Sequence, residues 1–209
     1  MTENAESTPH WEQRFREIAS VFVLSITAVL TAWCGFQSSK WGGEMSIAFS
    51  QASGARIQAA DYSAQARDAR QFDLTIYAQW VVATAQKQDV LAGYIEERFT
   101  PAFKTAFEAW RSEGMQELGP FARAEYVPGG TREAADWSER ADERFASALE
   151  NNQRGDNYSL LTVLFALVLF LTALSQRKTG VLASRVYLGL AAVAGAIGVV
   201  IMLTFPVRI

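Results

Sequence analysis

The sequence predicts an all-α integral membrane protein with three transmembrane helices and a helical, coiled-coil-like extracytoplasmic domain. Three observations predict it. Residues 18–36, 158–175 and 186–207 carry no formal charge, and each run has about the length needed to cross ~30 Å of hydrocarbon. Alternating steps of four and three from Ser20 give Leu24, Thr27, Thr31, Cys34, Ser38, Trp41, Met45, Ala48, Ala52, Ala55, Ala59, Tyr62, Ala66 and Ala69. A 3.5-residue repeat of this kind keeps one face of a helix towards a partner helix. Finally, no proline interrupts the stripe, so one helix, or two nearly collinear ones, is expected to pass from lipid into solvent.

Residues 1–17 are polar and charged and are expected to form a cytoplasmic tail, with Trp11 and Phe15 beside Arg14 and Arg16 as an interfacial entry. A cleaved leader is the rival reading of the first run. The run is longer than a leader's apolar core, Glu12 and Glu17 sit in its flank, and the stripe continues through it, so a retained anchor is favoured. A lipoprotein box at Cys34-Gly35 is disfavoured by Thr31 and Trp33.

Lysine and arginine near the span ends set the orientation. The 176–185 connection holds Arg177, Lys178 and Arg185 and no acid, which marks it as a cytoplasmic loop. With Arg14 and Arg16 before the first span, the N-terminus is expected inside and residues 37–157 outside an inner (plasma) membrane. In that segment acidic residues outnumber basic ones.

Trp33 and Trp41 are expected at the opposite interface, and Gly42-Gly43 just beyond is the weakest point of the long helix. Alanine, glutamine and scattered charges then dominate to about Lys87, with Asp73 a defect in the stripe. Leu91, Ile95 and Phe99 are spaced as a second helical piece. Thr100-Pro101 reads as the cap and first position of a short helix carrying Phe103, Phe107 and Trp110 and ending at Gly114. Gly119-Pro120 and Pro128-Gly129-Gly130 bracket a loop at the tip.

Thr131 caps a returning helix whose stripe, Ala134, Trp137, Ala141, Phe145 and Ala148, is expected to pack antiparallel on the first. Gly155, within the polar collar 151–157, is a candidate break. In the third span Ala191, Ala194, Gly195 and Gly198 are small residues at packing intervals, which let helices approach closely in lipid.

The layout resembles a family of bacterial three-pass membrane proteins classed as a domain of unknown function. The resemblance rests on the first span, Gly42-Gly43, Gln51-Ala52, Leu149 to Arg154 with Asp156, and the paired glycine-containing final spans. It implies topology and no activity.

The residue inventory points away from enzymes. His10 is the one histidine and Cys34 the one cysteine, so serine or cysteine triads, zinc sites and di-iron sites lack their ligands. No phosphate loop or dinucleotide fingerprint is present. No catalytic, cofactor or metal residues are assigned. Carboxylates at Glu96-Glu97, Glu133/Asp136 and Glu139/Asp142/Glu143 read as solvated helix surface, with Arg140 and Arg144 interleaved to neutralise it. An acidic outer segment without a basic stripe disfavours nucleic acid.

The aromatic set Trp80, Tyr94, Phe99, Phe103, Phe107, Trp110 and Trp137 reads as the core of the outer domain, with a ligand pocket as the alternative. Ser20, Thr27, Thr31 and Cys34, continued by Leu24, Ser38, Ala48, Ala52, Ala55 and Ala59, form a candidate oligomer seam. The alternative is a pore lining, although no charged group marks a pathway within a span. The expected function is a non-enzymatic membrane scaffold or accessory subunit. It would sit among membrane lipids, self-associate as a homo-oligomer, and present residues 37–157 to a periplasmic or membrane protein partner. The alternatives are an oligomeric ion channel lined by the first helix, and a sensor subunit that needs a separate signalling protein.

Overall fold

The computed structural model describes residues 10–116, 118–177 and 180–209. The tail residues 1–9 and Lys178 of the 176–185 loop lie outside the described residues, as do the side chains of Glu12, Phe15 and Arg16. Helix makes up 84% of the structure, and no strand occurs among the described residues. The helices are α1 (His10–Ala85), α2 (Asp89–Glu96), α3 (Pro101–Ser112), α4 (Thr131–Ser175) and α5 (Val181–Leu203), with a 3₁₀ turn at Pro120–Ala122. Three of them, α1, α4 and α5, are long and apolar enough to cross a membrane.

The chain divides into two compact units. One comprises the residues up to Ala48 together with Ala146–Ile209; the other is Phe49–Phe145.

In the first unit the early part of α1 packs with the later part of α4 and with α5. Cys34, Trp41, Tyr158, Leu161 and Phe165 are its buried core, lined by Leu30, Leu164, Val199, Met202 and Phe205. The small residues of α5 sit where close approach demands them. Ala191 is fully buried, a Cβ on Gly195 would stand 3.6 Å from Val168, and one on Gly198 would stand 2.8 Å from the Phe165 ring. Gly155 is not a break: α4 runs through it, and its missing side chain lets α4 lie against Ser38, Trp41 and Gly42 of α1. The helix also continues through Gly42-Gly43. Trp41 is buried rather than presented outward as an interfacial ring, with the Arg154 guanidinium over it at 4.7 Å. The third apolar run extends past its helix. α5 stops at Leu203, and Thr204–Ile209 continues as a non-helical strap.

In the second unit the alanine stripe of α1 meets the stripe of α4 in antiparallel register. Phe49 packs edge-on against Phe145 at 5.5 Å, Arg56 lies over the Phe145 ring and near Asp142, and Gly130 abuts Tyr62 and Ala66. α1 ends without glycine. Lys87 takes a left-handed φ of 61°, while Lys87 N–H donates to Thr84 and Gln88 N–H to Ala83, a Schellman closure that satisfies the last carbonyls. Thr100 caps α3 by accepting from the Phe103 N–H, with Pro101 in the first turn. Gly114 closes α3 at φ 78°. α2 turns Ala92 and Ile95 inward, leaving Leu91 exposed. The loop after α3 packs on the core of this unit through Phe121 and Tyr126.

Candidate functional site

The stripe assigned as a seam is filled within one chain. Ser20, Thr27, Cys34, Ala48, Ala52 and Ala55 are buried, and Leu24, Thr31, Ser38 and Ala59 are half-buried. Its polar members have partners inside the same chain. Thr31 donates to the Thr27 carbonyl one turn back at 2.7 Å, which satisfies its hydroxyl within the helix. Ser38 shares a 2.8 Å hydrogen bond with Ser159 of α4. The Cys34 sulfur lies 3.9 Å from that of Met202 on α5.

One residue beside the stripe escaped the sequence reading. Gln37 is fully buried and holds the strap by its backbone. Its amide donates to the Arg208 carbonyl at 3.0 Å and its oxygen accepts from the Arg208 N–H at 2.9 Å. The Tyr158 hydroxyl donates to the Pro206 carbonyl at 3.2 Å, and the Arg208 guanidinium reaches Glu44 at 2.9 and 3.1 Å. A polar residue between Phe36 and Ser38 looks like the edge of a span, and nothing local announces its partner 171 residues later.

In the second unit the aromatic set separates. Trp80, Phe99, Phe103, Phe107 and Trp110 form the core with Tyr126, and Ile76, Tyr77 and Phe121 pack against it. Phe99 meets Phe103 at 4.8 Å and Trp80 meets Phe107 at 4.9 Å, both edge-to-face, the arrangement ring quadrupoles favour. These rings fill one another's space as a core does. Trp137 is elsewhere, half-buried under Arg140, whose guanidinium lies 4.7 Å from its ring. Tyr94 is exposed and carries Arg98 over its face.

Asp73, read as a defect, is the polar centre of this core. It is 1% exposed and accepts from Thr100 at 2.8 Å and from Tyr126 at 2.9 Å. Burial, with the Asp73 carboxylate beside it, pushes the Tyr126 phenol well above its ordinary range. At the core's edge Glu96 accepts from the Trp80 indole and from Arg111. Burial alone would raise the Glu96 carboxyl, but these two donors outweigh it and hold it below its ordinary value. Among the described residues no three His, Cys, Asp or Glu side chains cluster as metal ligands.

The surface around the α1–α2 turn is different in kind. Val82, Val90, Leu91 and Tyr94 are all exposed, Val90 at 90%. A groove of about 490 Å³ runs between Ala78, Val82 and Ala83 on α1 and Leu91, Tyr94 and Ile95 on α2. Lys87, Gln88 and Asp89 border an adjoining hollow. Apolar side chains gathered this way characterise contact surfaces.

No family model matches the chain, nor does any curated protein or solved structure.

Proposed function

We propose that this protein is a membrane-anchored scaffold or accessory subunit without catalytic activity. Residues 18–36, 158–175 and 186–207 span an inner membrane, and residues 37–157 form its extracytoplasmic, partner-binding part. The basic 176–185 connection supports the orientation with the N-terminus inside. The resemblance to bacterial three-pass proteins speaks to topology and points the same way.

The observation that carries the reading is the exposed apolar surface of Val82, Val90, Leu91 and Tyr94 beside a groove flanked by two helices. Such a groove suits the apolar face of a partner's helix. The channel reading has less support, because Ser20, Thr27 and Cys34 are covered by the chain's own helices. Self-association, if it accompanies function, would use another face than this stripe.

The test is site-specific photocrosslinking from Val82 and Leu91 in native membranes. Discrete adducts that disappear in the Val90→Glu/Leu91→Glu variant are expected. Adducts absent at both positions, or indifferent to those substitutions, would overturn the assignment.

A further inference from the structure

α5 is the least covered of the long apolar helices: 11% of its most apolar window is buried, against 17% for α1 and 33% for α4. Its inward contacts are small or soft. Gly195 and Gly198 lie against Val168 and Phe165, and Met202 lies against Cys34. Such surfaces pack closely but offer little directional hold in lipid, where burial between helices has no solvent-driven advantage over contact with acyl chains.

Within α5 one buried hydrogen bond near its start gives directional hold, Ser184 donating to the Ser175 carbonyl of α4 at 2.6 Å; the hold on α1 lies beyond the helix. The strap makes two backbone hydrogen bonds with Gln37, one with Tyr158, and an ion pair through Arg208 with Glu44. Phe205 adds an edge-on ring contact with Tyr158 at 5.5 Å. These side-chain partners all belong to α1 and α4. The strap's own outer surface already meets its surroundings, since Val207 and Ile209 are exposed and the Arg208 side chain is about half exposed at 51%. Release therefore changes little for Val207 and Ile209, while Phe205 leaves the core it packs against and Arg208 leaves Glu44. It leaves the Gln37 amide without either partner at a fully buried place and the Tyr158 hydroxyl without the Pro206 carbonyl, costs that fall on two buried side chains.

We propose that residues 204–209 are a latch that holds α5 on α1, and that unlatching lets α5 move away and opens Cys34 to thiol reagents. Seated and released straps are two discrete arrangements of the kind that switching elements use. Every contact involved lies within one chain and one unit, so the latch is independent of the partner reading above.

Cys34 is the chain's single cysteine, so the native protein carries its own probe. The full chain, reconstituted in nanodiscs, is treated with N-ethylmaleimide while circular dichroism monitors helix content. The wild-type protein is expected to label slowly. Gln37→Leu, which removes both strap hydrogen bonds, is expected to label about tenfold faster or more. Glu44→Arg, which sets like charges together, is expected to label about two- to fivefold faster, and the exchange Glu44→Arg/Arg208→Glu to return to the wild-type rate. Gln37→Leu with native helix content and an unchanged labelling rate overturns the latch. Should Gln37→Leu lose helix content, the charge exchange decides: faster labelling that the exchange reverses supports the latch, and no acceleration or no reversal overturns it.

Discussion

Tyr126 donates its hydroxyl to Asp73 at 2.9 Å across 53 residues of sequence, joining the loop after α3 to the last quarter of α1 at a site where the carboxylate is 1% exposed. Thr100 donates to the other carboxylate oxygen while capping α3. One acid thus ties three segments together. Tyr126→Phe is expected to cost about 1.5–3 kcal/mol, the range for a hydrogen bond to a charged group. Asp73→Ala leaves two hydroxyls unpaired and should cost about 2–5 kcal/mol. Asp73→Leu/Tyr126→Phe should recover part of that loss, because it removes one of the two hydroxyls that Asp73→Ala strands and leaves only that of Thr100. Thermal unfolding followed by circular dichroism checks all three.

Gly130 has φ +90°, and a Cβ there would stand 2.6 Å from the Tyr62 carbonyl. Gly130→Ala therefore combines left-handed strain with overlap against fixed backbone, and a loss of about 2–4 kcal/mol is expected. Gly54→Ala is the control. Nothing lies within 4 Å of its Cβ position, and alanine should stabilise that exposed helical site by about 0.5–1 kcal/mol. Equal effects at the two positions would contradict the packing of α4 on α1 in the second unit.

In the first unit, Gly198→Leu should destabilise by about 1–3 kcal/mol, since the Phe165 ring already stands 2.8 Å from its Cβ position and a filled core resists added volume. Val193→Leu on the same helix, at a 60% exposed position, should be neutral. A detergent-denaturation series on the two variants distinguishes an α5 docked on α4 from one that makes no packed contact with it.

Acid should weaken the second unit through Glu96. Its folded carboxyl is held below the ordinary 4.5, so the unfolded state takes up the proton first as pH falls. The stabilisation is complete above about pH 4.5 and is lost progressively as pH drops through the lowered folded value. The melting temperature should be flat, as far as this group contributes, from neutrality to about pH 5 and fall below it. Glu96→Gln should flatten that acid limb. An unchanged acid limb would mean that the Arg111 and Trp80 contacts do not stabilise the ionised form.

Much of this architecture was legible in sequence because its signals are local or periodic. The antiparallel stripes of α1 and α4, the Thr100-Pro101 start and the Gly114 stop each follow from spacing or from one residue's stereochemistry. What escaped depends on partners distant in sequence. Asp73 looked like a flaw because an acid on an apolar stripe has no visible reason until Thr100 and Tyr126 arrive. Trp41 looked like an interfacial anchor, since Arg154, which covers it, lies on another helix. Lys87 closes α1 in a conformation that glycine usually signals. The last apolar run was read through to Val207 on composition, although Pro206, which cannot continue a helix's hydrogen bonding, marked the departure near Leu203. Of the candidate site, the stripe's burial was legible; the α5 contact at Cys34 and the apolar surface around Val90 were not.

Gln37 also bears on the order in which the chain is made. Its partner Arg208 follows it by 171 residues, so during synthesis the first apolar helix emerges with an amide that nothing yet satisfies. Until Arg208 appears, that amide must remain near water or borrow another donor and acceptor. The surroundings of Gln37 are thus complete only once Arg208 has left the ribosome and docked, so this joint forms after the helices on either side of it have been made.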